Sequence, residues 1–186
     1  MRIEPIPYDD LDPELRGRFD AGVAGGRYMM TAPLQVYAHS RAYAEALDET
    51  YRLTFRQGLL GDRLHELLRL RSAQLNGCAP CASSRKEESV AEDDVACLVE
   101  GAAGADERER RALRFLEQMC TDHFSIDDDT FRSLGEVFTV QEIVELGMAC
   151  ANLIGGHRWT HALDIFSDAR PVLARDHTPA SALQGT

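Results

Sequence analysis

Long apolar runs are missing from this chain. No stretch approaches the roughly 18 apolar residues of a membrane-spanning helix. The hydrophobic share, 44% of 186 residues, is nevertheless ordinary for a chain that buries a core. Basic charge is scarce: 20 Lys and Arg stand against 31 Asp and Glu, a net charge of −11. That argues against nucleic acid or an anionic membrane as the main partner. The opening residues, MRIEPIPYDDLDPELR, hold no basic region followed by an apolar core, so no secretory signal is expected. Strand pairs joined by hairpin turns are absent, and so is an internal repeat with a clear period. Cysteines number only five, an odd count. This favours a reducing cytoplasm, where a close pair is catalytic or metal-binding rather than a structural staple. The length suits one domain with a real core, spanning 1–186, with an N-terminal arm over 1–12 and a flexible tail over 176–186.

Helical patterning is what the chain does have. Asp12-Pro13-Glu14 is a start signal, with Asp12 as cap and Pro13 at the first position, and the helix reaches about Val23 before Gly25-Gly26. Tyr28, Met29 and Met30 follow, as core or as pocket lining. Thr31-Ala32-Pro33 opens a second helix carrying Leu34, Val36, Tyr37, Tyr43, Ala44 and Leu47, and Glu49 to Gly58 is a link. Helices are expected at Asp62–Leu75, at Ala91–Glu100 and at Asp106–Thr121, where the ERERR run is a solvated face. Ser125 caps a short acidic segment. Its Asp127–Asp129 run lacks the glycine and distal glutamate of a calcium loop. Thr139 and Glu142 form a capping box for a helix that meets Gly155-Gly156, which either interrupts it or allows close packing. His157 and His161 share a face but have no third metal ligand, so a pocket-lining role fits them better than a metal site. The count is seven to eight helices.

One stretch carries chemistry: Glu66 to Glu88, ELLRLRSAQLNGCAPCASSRKEE. Leu64, Leu67, Leu68 and Leu75 make one apolar face of the first helix, and Leu70 and Ala73 a second stripe, with Glu66 on that second side. A carboxylate there is either paired or shifted upward in pKa; Arg69 and Arg63 are candidate partners. Asn76-Gly77 stops the helix. Pro80 suits the start of the next, expected to run to Glu88 or Ser89. Cys78 then lies just outside that helix and Cys81 in its first turn, where free N–H groups favour a thiolate. Arg85, four residues after Cys81, falls one turn down on the same face as a second cation. Inert core cysteines, half a zinc site and a surface Arg85 paired with Glu87 or Glu88 are the competing readings. Cys97, Cys120 and Cys150 are isolated.

The whole string, with Glu66 twelve residues before Cys78, resembles the alkylhydroperoxidase D-like and carboxymuconolactone decarboxylase superfamily. Its core carries a glutamate, then R-x-x-x-x-N-G-C-x-x-C, then usually a histidine four residues on. Arg71, Asn76, Gly77, Cys78 and Cys81 stand in those places. The match is specific over Gly61 to about Glu100 and looser from Leu34 to Phe166. The resemblance implies an all-α helical bundle that forms a homo-oligomer. It implies Cys81 as the thiol that attacks a hydroperoxide and Cys78 as the thiol that closes the disulfide. Glu66 would be the base of the proton relay, and an external dithiol or protein reductant would restore the thiols. Arg85 replaces the family histidine. Arginine stays charged and shuttles no proton, so it either holds Cys81 as thiolate or locks Glu66. The expected activity is therefore a cytoplasmic thiol-dependent peroxidase, with no cofactor and no metal. The alternatives are a non-redox enzyme of the decarboxylase kind, against which the cysteine pair argues, and a non-catalytic thiol sensor or oligomeric protein.

Overall fold

Asp12 accepts from the backbone N–H groups of Glu14 and Leu15 at 3.0 and 3.2 Å. That cap starts the first of nine α-helices found among the described residues of this computed structural model, which are 1–56, 58–99, 104–168 and 170–176. The helices are α1 (Pro13–Ala24), α2 (Ala32–Tyr37), α3 (Arg41–Arg56), α4 (Asp62–Leu75), α5 (Ala79–Ser83), α6 (Glu92–Val99), α7 (Glu107–Thr121), α8 (Asp128–Gly135) and α9 (Val140–Leu163). Extended pairing among the described residues is limited to one isolated parallel bridge, Ile3 with Leu173. The architecture is all-helical, as expected. No single described helix is long and apolar enough to cross a membrane.

The chain divides into two compact units, Met1–Glu49 with the segment from Ala162 onward, and Thr50–His161. In the first unit Phe19 is fully buried and packs edge-on to Tyr28 at 6.1 Å. The Tyr28 hydroxyl donates to buried Asp48 at 2.7 Å, and Arg27 closes on the same oxygen at 2.8 Å. Gly22 is required beneath this ring, since a Cβ there meets Tyr28 at 2.4 Å. Tyr28 is therefore a core residue. The single helix expected from Thr31 is two helices, broken at Ala38–Ser40. His39 turns out of the break to the Glu4 carbonyl, and Ser40 offers its carbonyl to Ala44 to begin α3. Helix α3 then runs through the segment expected to be a link, which holds no breaker before Gly58.

The second unit is built on α4. Every residue from Leu64 to Leu70, together with Ser72 and Ala73, is buried. The two stripes read from the sequence are thus parts of a helix surrounded on nearly all sides. Leu64, Leu67 and Leu68 join Leu113, Leu116, Leu146 and Leu153 in one apolar cluster. Helix α7 starts in a capping box between Asp106 and Glu109. Asp127, rather than Ser125, caps α8. Helix α9 passes through Gly155-Gly156 without interruption; Gly156 lies under the Tyr51 hydroxyl, which a Cβ would meet at 3.2 Å. The expected end at Glu100, the first three residues of the loop expected over Gly101–Ala105 and the tail beyond Asp176 fall outside the described residues.

Candidate active site

Helix α4 ends where the Asn76-Gly77 signal predicts. Gly77 takes φ +70°. Its N–H donates to the Gln74 carbonyl at 3.3 Å, and the Cys78 N–H donates to Ala73 at 3.0 Å. These two bonds are the paired closure of a Schellman motif, and they deliver Cys78 as the residue preceding α5. Cys78 and Cys81 are joined as a disulfide with Cα atoms 5.3 Å apart. Cys78 is buried and Cys81 half-buried.

The cation of this site is Arg69, which stands as a partner of Glu66 and nothing more in the sequence reading. It donates to both Glu66 oxygens at 2.7 Å, to the Cys81 carbonyl at 2.6 Å, and to the carbonyl and hydroxyl of Ser84 at 2.8 and 3.3 Å. All of the guanidinium's N–H donors are thus used. Glu66 also accepts from the Lys86 N–H at 2.9 Å. Burial pushes the Glu66 carboxyl upward, but Arg69 and Lys86 outweigh it and hold it below its ordinary range. The carboxylate is 2% exposed and stays charged. In this geometry it anchors Arg69 against the Cys81 backbone.

The position expected for Arg85 needs correction. Helix α5 stops at Ser83, and Ser84 turns to extended backbone with ψ 149°. Arg85 therefore does not share a helix face with Cys81. Its guanidinium makes two 2.8 Å bonds to Glu92 and reaches the carbonyls of Ala82 and Ser84. The physical reason is competition for backbone groups. Continuing α5 needs the Ser84 carbonyl and the Lys86 N–H, and these are held by Arg69 and Glu66. Glu66 is locked, but by Arg69.

Helix α9 lines the motif loop. His157 Nδ1 lies 2.9 Å from the Ser72 hydroxyl. Arg158 donates to Asn76 Oδ1 at 2.7 Å and to the Cys120 carbonyl at 2.6 Å. His161 stands over Gly77, 3.8 Å from where a Cβ would be. Burial, and then the nearby Arg69 and Lys86 charges, lower His157 to about 4. The two histidines thus meet different parts of the motif, Ser72 on α4 and Gly77 in the turn after it. Among the described residues no cluster of three or more His, Cys, Asp or Glu is placed to hold a metal. Cys150 is fully buried, and desolvation raises its thiol.

His65 carried no signal in the sequence beyond its place beside Glu66. It is 2% exposed, and neither ring nitrogen has a hydrogen-bond partner. Its ring lies 4.1 Å from that of Phe55, and the Lys86 ammonium is 4.3 Å from the Phe55 centroid.

No family model matches the sequence, and no curated protein matches it. Solved structures do. The debrominase Bmp8 in its apo form superimposes with a TM-score of 0.71 at 19% identity, covering 86% of this chain and 88% of that one. A Bmp8 variant in complex with 2,3,4-tribromopyrrole gives 0.72 at 19% identity over the same shares. An alkylhydroperoxidase AhpD core, an uncharacterized peroxidase-related protein from Ralstonia eutropha JMP134, gives 0.70 at 18%, covering 95% of this chain and 97% of that one. The chain therefore has the alkylhydroperoxidase D-like fold, with a C-x-x-C disulfide at Cys78 and Cys81.

Proposed function

We propose that this protein is a dithiol–disulfide oxidoreductase that reduces organic hydroperoxides in the cytoplasm. The observation that carries the reading is the Cys78–Cys81 bond, with a buried Cys78 and a more accessible Cys81. The Cys81 thiolate attacks the outer peroxide oxygen; the O–O bond breaks, the alkoxide leaves and is protonated, and Cys81 becomes a sulfenic acid. The Cys78 sulfur then attacks Cys81 and expels water as the disulfide closes. An external dithiol or reductant protein takes the oxidising equivalents by thiol–disulfide exchange, attacking the accessible sulfur. Arg69 holds the Cys81 carbonyl and Glu66 holds Arg69, so both are positioning residues.

A thiol sensor is the second reading, favoured by the sealed Glu66–Arg69 pair, which offers no ready base. Peroxide consumption in the presence of dithiothreitol separates the two. The enzyme turns over many times. Cys81→Ser abolishes turnover, and Cys78→Ser, oxidised with no dithiothreitol present, stops after one sulfenic equivalent, trapped at Cys81 by dimedone. One slow equivalent in the wild type supports the sensor, and no reaction at Cys81 sinks both.

The same proposal includes self-association. Val140, Val144, Met148, Ala151, Gly155 and Trp159 form an exposed stripe along α9 at the spacing of one helix face, and its small residues permit close approach of a second copy. Sedimentation of Met148→Glu tests it: a wild-type oligomer that falls to monomer supports the stripe, and an unchanged assembly overturns it.

A further inference from the structure

Ser84 is the residue at which the redox loop meets the buried ion pair. Its N–H donates to the Pro80 carbonyl at 3.2 Å. There the backbone leaves α5, with ψ 149°, and the other polar atoms of Ser84 turn back to the loop. The hydroxyl donates to the Cys81 carbonyl at 3.1 Å and accepts from Arg69 at 3.3 Å. The Ser84 carbonyl accepts from Arg69 at 2.8 Å and from Arg85 at 3.0 Å. Arg69 also reaches the Cys81 carbonyl at 2.6 Å, so hydroxyl, guanidinium and carbonyl close a ring of hydrogen bonds. A hydroxyl suits that ring because it donates and accepts at once; a methyl group does neither. Ser83 gives the contrast. It is exposed, and its hydroxyl donates to the Pro80 carbonyl at 3.1 Å, not to Cys81.

The two ends of the disulfide are therefore tied independently of the sulfurs. Cys78 is held through its N–H by the end of α4, and Cys81 through its carbonyl by Arg69 and Ser84. We propose that Ser84 is a positioning residue of the redox pair, whose hydroxyl keeps Cys81 opposite Cys78 and so sets how strongly the disulfide is favoured over the dithiol. This rests on the dithiol–disulfide half of the reading above and not on its peroxide half. Thiols held within reach of each other act as if at high concentration, because folding has already removed the freedom that closure would cost. Releasing Cys81 lets the dithiol form spread over more conformations. That favours the dithiol and makes the pair easier to reduce.

The full-length protein is equilibrated in mixtures of reduced and oxidised dithiothreitol. Two electrons and two protons pass to the Cys78–Cys81 bond as the reagent closes its own disulfide. The disulfide fraction is read from the protein mass after thiol alkylation. Ser84→Ala should shift the exchange constant about tenfold toward the dithiol, the loss of about one hydrogen bond. That raises the reduction potential by about 30 mV. Ser84→Thr keeps the hydroxyl and should stay at the wild-type potential. Ser83→Ala, which removes a hydroxyl from the same end of α5, should stay there too. A general weakening of α5 would move Ser83→Ala and Ser84→Ala alike, and that result overturns the proposal. So does an unchanged potential in Ser84→Ala, or a Ser84→Thr that shifts with it. Peroxide consumption is followed in the same preparations. The expected pattern of potentials in a chain that consumes no peroxide leaves Ser84 in this role and removes the peroxidase reading. Peroxide turnover with no shift in Ser84→Ala removes this role alone.

Discussion

Glu66 and Glu107 each sit three residues before an arginine and pair with it at the same distance. Glu66–Arg69 on α4 and Glu107–Arg110 on α7 both close at 2.7 Å. Side-chain exposure is 2% and 4% in the first pair, and 53% and 46% in the second. On α7, water competes for every group, and the pair contributes little to stability. On α4 the charges have left water, so their desolvation is offset only while each keeps its partner and its other hydrogen bonds. Arg69 meets that demand by also binding Cys81 and Ser84. The pair thereby shapes the redox loop, which an exposed pair at the same distance cannot do.

The largest contrast is expected from breaking each pair. Arg69→Met leaves Glu66 buried and uncompensated and should cost about 3–5 kcal/mol in urea unfolding. Glu107→Gln should leave the midpoint where it is. Removing both members, as Glu66→Gln with Arg69→Met, should recover much of the loss. Equal effects from Arg69→Met and Glu107→Gln would erase the distinction between the two regions.

Gly77→Ala comes next. Its φ of +70° is a left-handed conformation that costs an ordinary residue about 1–2 kcal/mol. The nearest atom to a new Cβ is 3.8 Å away, so strain alone sets the loss. A loss near zero, read in the same urea assay, would mean that the loop relaxes and the Schellman closure does not fix Cys78.

The buried region should also set the acid limit. Burial lowers His65 and His157 to about 4, whereas an unfolded histidine takes its proton below about 6.5. The unfolded state therefore binds more protons in that window, and stability is lost as pH falls from about 6.5 to about 4. Urea titrations across the window should report uptake of about two protons on unfolding, and about one in His65→Phe. Glu66 adds to the loss at lower pH. Its folded value lies below the ordinary one, so its contribution is present above the ordinary carboxyl range and is lost as pH falls from that range through the lower folded value. A flat profile from 6.5 to 4 would mean that the rings are hydrated in the folded state.

Arg85 should give the smallest effect. Tied to Glu92 past the end of α5, it should alter peroxide turnover by less than a few-fold as Ala, and Arg85→His should not raise it. A large gain in Arg85→His would bring that side chain into the relay after all.

The same contrast explains what the sequence could tell. The limits of α4 were legible because Asn76-Gly77 is a local stop, and Cys78 and Cys81 were placed correctly because Pro80 restricts the start of α5. The length of α5 was not legible. Ser84 to Glu88 holds no helix breaker, and the chain leaves the helix because Arg69 and Glu66, more than a dozen residues upstream, take its backbone groups. The break before α3 was missed for a similar reason, since His39 bonds to Glu4. The partner of Glu66 was open between Arg69 and Arg63; Arg63 goes to Asp94 and Glu109 instead. Spacing alone cannot separate such pairs, because Glu107 and Arg110 read identically.

Helix α9 runs unbroken for 24 residues, and each residue turns it by about 100°. His157 faces Ser72 while Trp159, two positions on, faces out. A single residue inserted or deleted between Val140 and Gly156 would work like a slipped tooth on a camshaft. Every later side chain would rotate by about a quarter turn, taking the imidazole off Ser72 and dragging the indole toward the interior. Over this stretch the gene can drift in letters but not in length, so divergence here has to come by substitution, with insertions confined to the turns on either side.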